Sequence, residues 1–184
     1  MSRMARPQPR PAPLQVVADG ARTSFLEDVY RRYCRYVAAV VLRLDGRHGE
    51  VDDLVQEIFV EAARGISALR APEAIRGWLA TIAVRVVRRR LRLRRMRRFL
   101  GLDPEADYAN LVDPAASPFD RVLVRAVYRA LDELPVAERL AFSLHHIEGE
   151  TLEAVARLCG CSCATAKRRI ARAQRAIVDR VGDV

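Results

Sequence analysis

Arginine dominates the residues of this sequence that could do chemistry. Arg85, Arg88, Arg89, Arg90, Arg92, Arg94, Arg95, Arg97 and Arg98 crowd one short run, and no acid occurs between Glu73 and Asp103. Guanidinium groups fork onto phosphate oxygens, and each phosphate neutralised releases condensed counterions, so the run points to a nucleic-acid backbone as partner. The alternative, a solvated charged face, ordinarily interleaves both signs. A second basic group, Lys167, Arg168, Ala171 and Arg172, has the i, i+1, i+4, i+5 offsets that present one helical strip to a major groove. The opposite charge is concentrated in Glu50, Asp52, Asp53, Glu57 and Glu61, with no base among them. That stripe, which also carries Gln56 and Val60, either balances the arginines or docks a basic partner with Val60 as its apolar anchor.

Other reactive groups are sparse. Cys159, Cys161 and Cys163 alternate downstream of His145 and His146, which makes a metal or redox site conceivable, but the two-residue spacing of a zinc knuckle is missing. Small, half-buried residues at a tight helical turn are the reading adopted, with no metal ligands assigned. Cys34 stands alone on a helix face. No nucleophile with a base, carboxylate pair in a basic pocket or phosphate loop is present, so neither an enzyme nor a cofactor is expected.

The elements that must carry these residues are helical. Ile75, Trp78, Leu79, Ile82 and Val86 repeat at i, i+3, i+4, i+7 and i+11, which predicts one helix from Pro72 to Arg98 with proline in its first turn. Upstream, S-F-L-E predicts a capping box from Ser24 to Glu27. It opens a helix whose apolar face includes Val29, Val37, Val41 and Leu44 and which ends at Asp45 and Gly46. A helix from Val51 to Ala68 sets Leu54, Val55, Ile58, Phe59, Ala62 and Ile66 inward and the acidic stripe outward. Pro104 and Pro114 break the acidic stretch that follows Arg98. Helices are then predicted to about Glu133 and from Pro135 to Ile147. Thr151 caps a short helix, Gly160 makes a left-handed turn, and Ser162 caps a last helix. Together they form a helix-turn-helix pattern.

With 184 residues, 51% of them hydrophobic, the chain has room for one domain or two small ones. Its net charge of +9 favours nucleic acid or an anionic surface as partner. No apolar run reaches membrane-spanning length, so no membrane insertion is expected. The first residues lack the apolar segment of a secretory signal and are read as a disordered basic lead-in to a cytoplasmic protein.

The pieces DDLVQEIFVEAARG, RGWLATIAVRVVRRRLRLRR and LPVAERLAFSLHHIEGETLEAVARLCGCSCATAKRRIARAQ, in this order, resemble the extracytoplasmic-function (ECF) group of bacterial RNA polymerase sigma factors. The resemblance implies an all-α fold of two small helical domains. A disordered segment at 1–22 would precede sigma domain 2 at 23–100; an acidic linker at 101–117 would lead to sigma domain 4 at 118–184. It implies that Asp52, Asp53, Gln56, Glu57, Val60 and Glu61 meet core polymerase. Trp78, Arg85, Arg88, Arg89 and Arg92 would serve the minus-10 promoter element, and the loop from Gly65 to Gly77 would hold a flipped base. Ser162, Thr165, Lys167, Arg168, Ala171 and Arg172 would serve the minus-35 element, and the linker would thread toward the RNA exit path. Core polymerase, promoter DNA and an anti-sigma protein are the partners implied. Arg85 and Arg89 stand where the family commonly has Asn and Asp, and Ala171 where a bulky residue often sits. A sigma-derived DNA-binding regulator that does not itself support initiation is the alternative.

Overall fold

The computed structural model describes residues 19–66, 69, 71–102, 108, 111 and 115–182, and every regular element among them is helical. Helix α1 (Asp19–Asp45) begins five residues before Ser24, so that serine lies inside the helix and caps nothing. No proline interrupts Asp19 to Thr23, and an S-x-x-E spacing is equally at home in a helix interior. Residues 19–22, expected to be unstructured, are thus its first turn; residues 1–18 lie outside the described part. At its other end Gly46 takes φ +80° and its N–H donates to Leu42 O at 2.7 Å, the left-handed stop the sequence predicts.

Helix α2 (Val51–Gly65) is shorter than predicted, and Ile66 continues it only as a tighter turn. A 3₁₀ turn at Pro72–Ala74 leads into α3 (Ile75–Phe99). These three helices pack against one another, with Val37, Val41, Leu44, Ile58, Leu79, Val86 and Val87 almost fully buried. A fully buried side chain of this kind contributes about 1.5–3 kcal/mol relative to exposure. The buried part of α3 is wider than the single stripe predicted, since Ala80, Ala83, Val84 and Leu91 are buried as well. The cause lies in the second half of the chain, which covers a further side of α3.

That half begins with Ser117, whose hydroxyl accepts from the Asp120 N–H ahead of α4 (Pro118–Glu133). Helix α5 (Val136–Phe142) widens into a π turn over Ser143–Ile147. Thr151 accepts from Ala154 N–H to start α6 (Leu152–Cys159), Gly160 turns at φ +63°, and Ser162 accepts from Thr165 N–H to start α7 (Cys163–Val181). Both predicted caps and the predicted turn are therefore formed. One apolar cluster runs from α1–α3 into Leu140, Leu144, Val155, Leu158 and Ile170; a smaller one joins Tyr108, Tyr128, Leu131, Leu134, Ala173 and Ile177. The two halves accordingly share a core, which the reading as two joined domains did not anticipate. Within the proposed linker, residues 103–107, 109, 110 and 112–114 lie outside the described part, and so does its path toward an exit channel. No helix among the described residues is long and apolar enough to cross a membrane.

Candidate nucleic-acid interface

Three surfaces carry the charged residues singled out by the sequence. The first is the outer face of α2, where Asp52, Asp53, Gln56, Glu57 and Val60 are all exposed. Tyr30 of α1 stands beside them, its ring edge-on to Phe59 with centroids 4.9 Å apart. Together Tyr30, Asp52, Val55, Gln56, Phe59, Val60 and Ala63 line an open hollow, mainly apolar, with Asp52 as the acid among them. Sequence reasoning missed Tyr30 and placed Phe59 in the core. The available signal was an aromatic side chain one position off the α1 stripe, next to buried Val29.

Glu57 and Glu61 behave differently from the other acids. Arg89 pairs with Glu57 and, at 3.2 Å, with Glu61, while Arg85 reaches Glu61 at 2.5 Å. Glu50 takes Arg90 and Arg94 at 2.7 and 2.8 Å. Burial would push the Glu50 carboxyl up, but its bonds and charge contact with these two arginines outweigh burial and hold it at about 2. Arg94, expected at a phosphate-facing position, is 4% exposed and also binds Asp45 at 2.8 Å. The inference that α3 needs an external anion is corrected here: acids absent from its own segment are supplied by α1, α2 and α4. The acidic stripe is thus divided: Glu57 and Glu61 balance arginine, and Asp52 and Asp53 are exposed to solvent.

The second surface is α3 itself. Trp78 is half-buried, its indole edge lying 3.3 Å from where a Cβ on Gly65 would be, so glycine makes room for the ring. Arg76 lies over the Tyr36 ring at 4.6 Å. Arg88 turns toward the second half and donates to Cys159 O at 3.0 Å. Arg92 and Arg97 remain exposed. Of the loop from Gly65 to Gly77, residues 67, 68 and 70 lie outside the described part. Arg85, Arg88 and Arg89 are thus engaged within the molecule, and Arg92 is the member of the predicted set turned to solvent.

The third surface is α7. Ala166, Ile170, Ala173 and Ile177 are buried, which turns Lys167, Arg168, Ala171 and Arg172 outward together. Arg172 lies 3.8 Å from Glu138, a distance that leaves it readily redirected. Ser162 and Thr165, at the start of the helix, share a hydrogen bond of 3.0 Å between their hydroxyls. The cysteines flank this turn: Cys159 is buried, Cys161 partly so and Cys163 exposed. Burial pushes the Cys159 thiol upward, away from the reactive thiolate. Among the described residues, no cluster of His, Cys, Asp and Glu converges on a point where a metal could sit.

Residues 29–97 match the family Sigma-70 region 2, and residues 124–177 match Sigma-70, region 4. The ECF RNA polymerase sigma-E factor of Escherichia coli strain K12 is 31% identical over 160 residues, covering 82% of this chain and 83% of that protein. Among solved structures, the sigma factor RpoE of Bartonella quintana, in complex with the anti-sigma factor NepR, has a similar fold. Its TM-score is 0.65 at 21% identity, over 86% of this chain and 98% of the other. CnrH, in complex with the cytosolic domain of CnrY, gives a TM-score of 0.55 at 20% identity over 85% and 87% of the two chains.

Proposed function

This chain belongs to the ECF RNA polymerase sigma factors of the sigma-70 family, and from that membership we propose how its surfaces divide the work of promoter recognition. The protein is a noncatalytic specificity subunit that brings core polymerase to promoters and helps melt them. The observation that carries the reading is the joint presence, on one chain and in family order, of a mainly apolar hollow beside exposed acids on α2 and a capped helix-turn-helix with an outward basic strip.

In this reading residues 23–100 dock polymerase and hold the minus-10 element, and residues 118–184 take the minus-35 element, with 101–117 between them. Asp52, Asp53, Gln56 and Val60 meet a basic polymerase surface, with the floor of the hollow receiving an apolar side chain. Arg92 and the neighbouring arginines follow the phosphate backbone, and Trp78 supports the melted strand. Lys167, Arg168 and Arg172 read base edges, while Ser162, Thr165 and the small Ala171 let the helix approach the groove. Polymerase, promoter DNA and an anti-sigma protein are the partners, and the site of action is cytoplasmic. Run-off transcription with core polymerase and this chain tests the reading. A defined transcript that starts at mapped promoters is expected. Tight DNA binding without a transcript would establish instead the regulator that does not support initiation.

A further inference from the structure

Promoter recognition as proposed above leaves three thiols unused. Cys159, Cys161 and Cys163 alternate across the turn between α6 and α7, and the fold makes them unlike. Cys159 ends α6 at 5% exposure, where burial pushes its thiol up and away from the reactive form. Cys161 is partly exposed. Its N–H donates to Ala156 O at 2.9 Å and that of Gly160 to Arg157 O at 3.2 Å, the paired bonds that stop α6 at its left-handed glycine. Cys163 is exposed as the first residue of α7. Between these two, Ser162 holds an extended backbone at φ −72° and ψ 156° and caps α7 by accepting from Thr165 N–H at 3.2 Å.

The surroundings favour reaction at the outer pair. No acid occurs between Glu153 and Asp179, while Arg157, Lys167 and Arg168 are exposed on either side of the turn. Accessible thiols in positive surroundings are the ones that oxidise, whereas buried structural thiols are inert. We propose that Cys161 and Cys163 are a modification site for hydroperoxides, at which a disulfide closes across Ser162 and releases the cap of α7. The Cys163 sulfur takes one peroxide oxygen as the O–O bond breaks, and its proton leaves with the other oxygen as water or an alcohol. The Cys161 sulfur then attacks the sulfenic sulfur, the S–O bond breaks, and the hydroxyl departs with the Cys161 proton as water. The thiols are oxidised and the peroxide is reduced by the same electron pair. An extended chain advances about 3.3 Å per residue, which sets the Cα atoms of Cys161 and Cys163 roughly 6.6 Å apart. Disulfides span at most about 6.8 Å and most often about 5.5–6 Å, so closure draws the two residues together and bends Ser162 out of the conformation its cap requires. Lys167 and Arg168 lie in the first two turns behind that cap and move with it. The effect on DNA rests on the minus-35 assignment of α7 made above; the oxidation does not.

Hydrogen peroxide added to the reduced full chain, followed by iodoacetamide and peptide mass spectrometry, reads the bridge. A link between Cys161 and Cys163 is expected, reversed by dithiothreitol. It should form in Cys159→Ser and be absent from Cys163→Ser, which alters only an exposed position. In Cys161→Ser the sulfenic acid should persist on Cys163, where dimedone traps it. No bridge in the parent chain, or one that survives in Cys163→Ser, would overturn the proposal. Amide hydrogen exchange at Thr165 reads the cap and should accelerate on oxidation; a bridge that leaves it unchanged would overturn the release. Binding to a duplex carrying the mapped minus-35 sequence should weaken at least about tenfold on oxidation, the worth of one two-pronged base contact, and should not change in Cys163→Ser. Undiminished binding by the bridged chain would overturn the link from cap to base reading. If bridge and exchange behave as expected but the reduced chain binds a scrambled duplex equally well, the minus-35 reading fails and the thiol site stands.

Discussion

Identical side chains in α3 have unlike roles because their surroundings differ. Arg94 is sealed between Asp45 and Glu50, Arg89 lies across Glu57 and Glu61, and Arg92 faces water. Only the last can meet a phosphate without breaking an ion pair, so Arg92→Ala should weaken binding to all DNA alike and lower the salt slope by roughly one unit. Arg168 projects from a helix whose start is fixed by Ser162, which favours a two-pronged contact with a guanine edge. Arg168→Ala should cost about 1–3 kcal/mol on the preferred minus-35 sequence and relax preference there. Titrations of both variants on matched and scrambled duplexes check this; equal losses on both duplexes for Arg168→Ala would remove α7 from base reading. Glu50 makes a prediction about acid. Its folded-state carboxyl sits at about 2, below its unfolded value, so its contribution to stability is present above about 4.5 and is lost as pH falls toward about 2. The contribution is at most on the order of 3 kcal/mol, reduced by its partial exposure. Glu50→Gln should therefore lose stability at neutral pH, with the deficit shrinking through that window. Urea melts at a series of pH values measure it, and a deficit constant down to about pH 3 would contradict the assignment.

At the scale of elements, α2 presents two unlike faces, one to the core and one to solvent. Leu54, Val55, Ile58 and Ala62 are buried, while Asp52, Gln56 and Val60 border the hollow and Asp53 is exposed beside them in sequence. Reversing charge at Glu57 would set a new cation against Arg89 and confuse docking with stability. Asp53→Arg with Gln56→Arg avoids that, since both side chains point to solvent and neither enters the core. The double variant should melt within about 0.5 kcal/mol of the parent, as surface changes do. It should also lose at least about tenfold in affinity for core polymerase, equivalent to 1.4 kcal/mol. Co-purification with polymerase at parental yield would place the docking surface elsewhere.

For the whole molecule, the consequence of a shared core is coupled unfolding. Arg139 joins Asp132 to the end of α1 from within the interface, and removing one partner of a buried pair leaves the other charge uncompensated. Arg139→Ala should cost about 3–5 kcal/mol at that junction. The loss falls on the contact between halves more than on either half, so a single thermal transition should split into two. Differential scanning calorimetry measures this, and one transition shifted bodily downward would mean that Arg139 supports only the second half.

Much of this molecule follows from short-range rules that a sequence displays directly. The apolar period of α3, the glycine stops at Gly46 and Gly160, the caps at Thr151 and Ser162 and the outward strip from Lys167 to Arg172 all depend on residues within one or two helical turns. The family motifs were legible for the same reason. Helix starts without a breaker were less so, which is why α1 extends past Ser24. Charge partnership was not legible, because Arg89 and Glu57 are 32 positions apart and Arg94 and Asp45 are 49. A run of arginines without nearby acids reads as an unsatisfied cation along the chain, whereas Coulomb energy depends on distance through space. Sequence alone thus determined the helices, their faces and the family. Only packing decided which arginines are held within the protein and which are left to solvent.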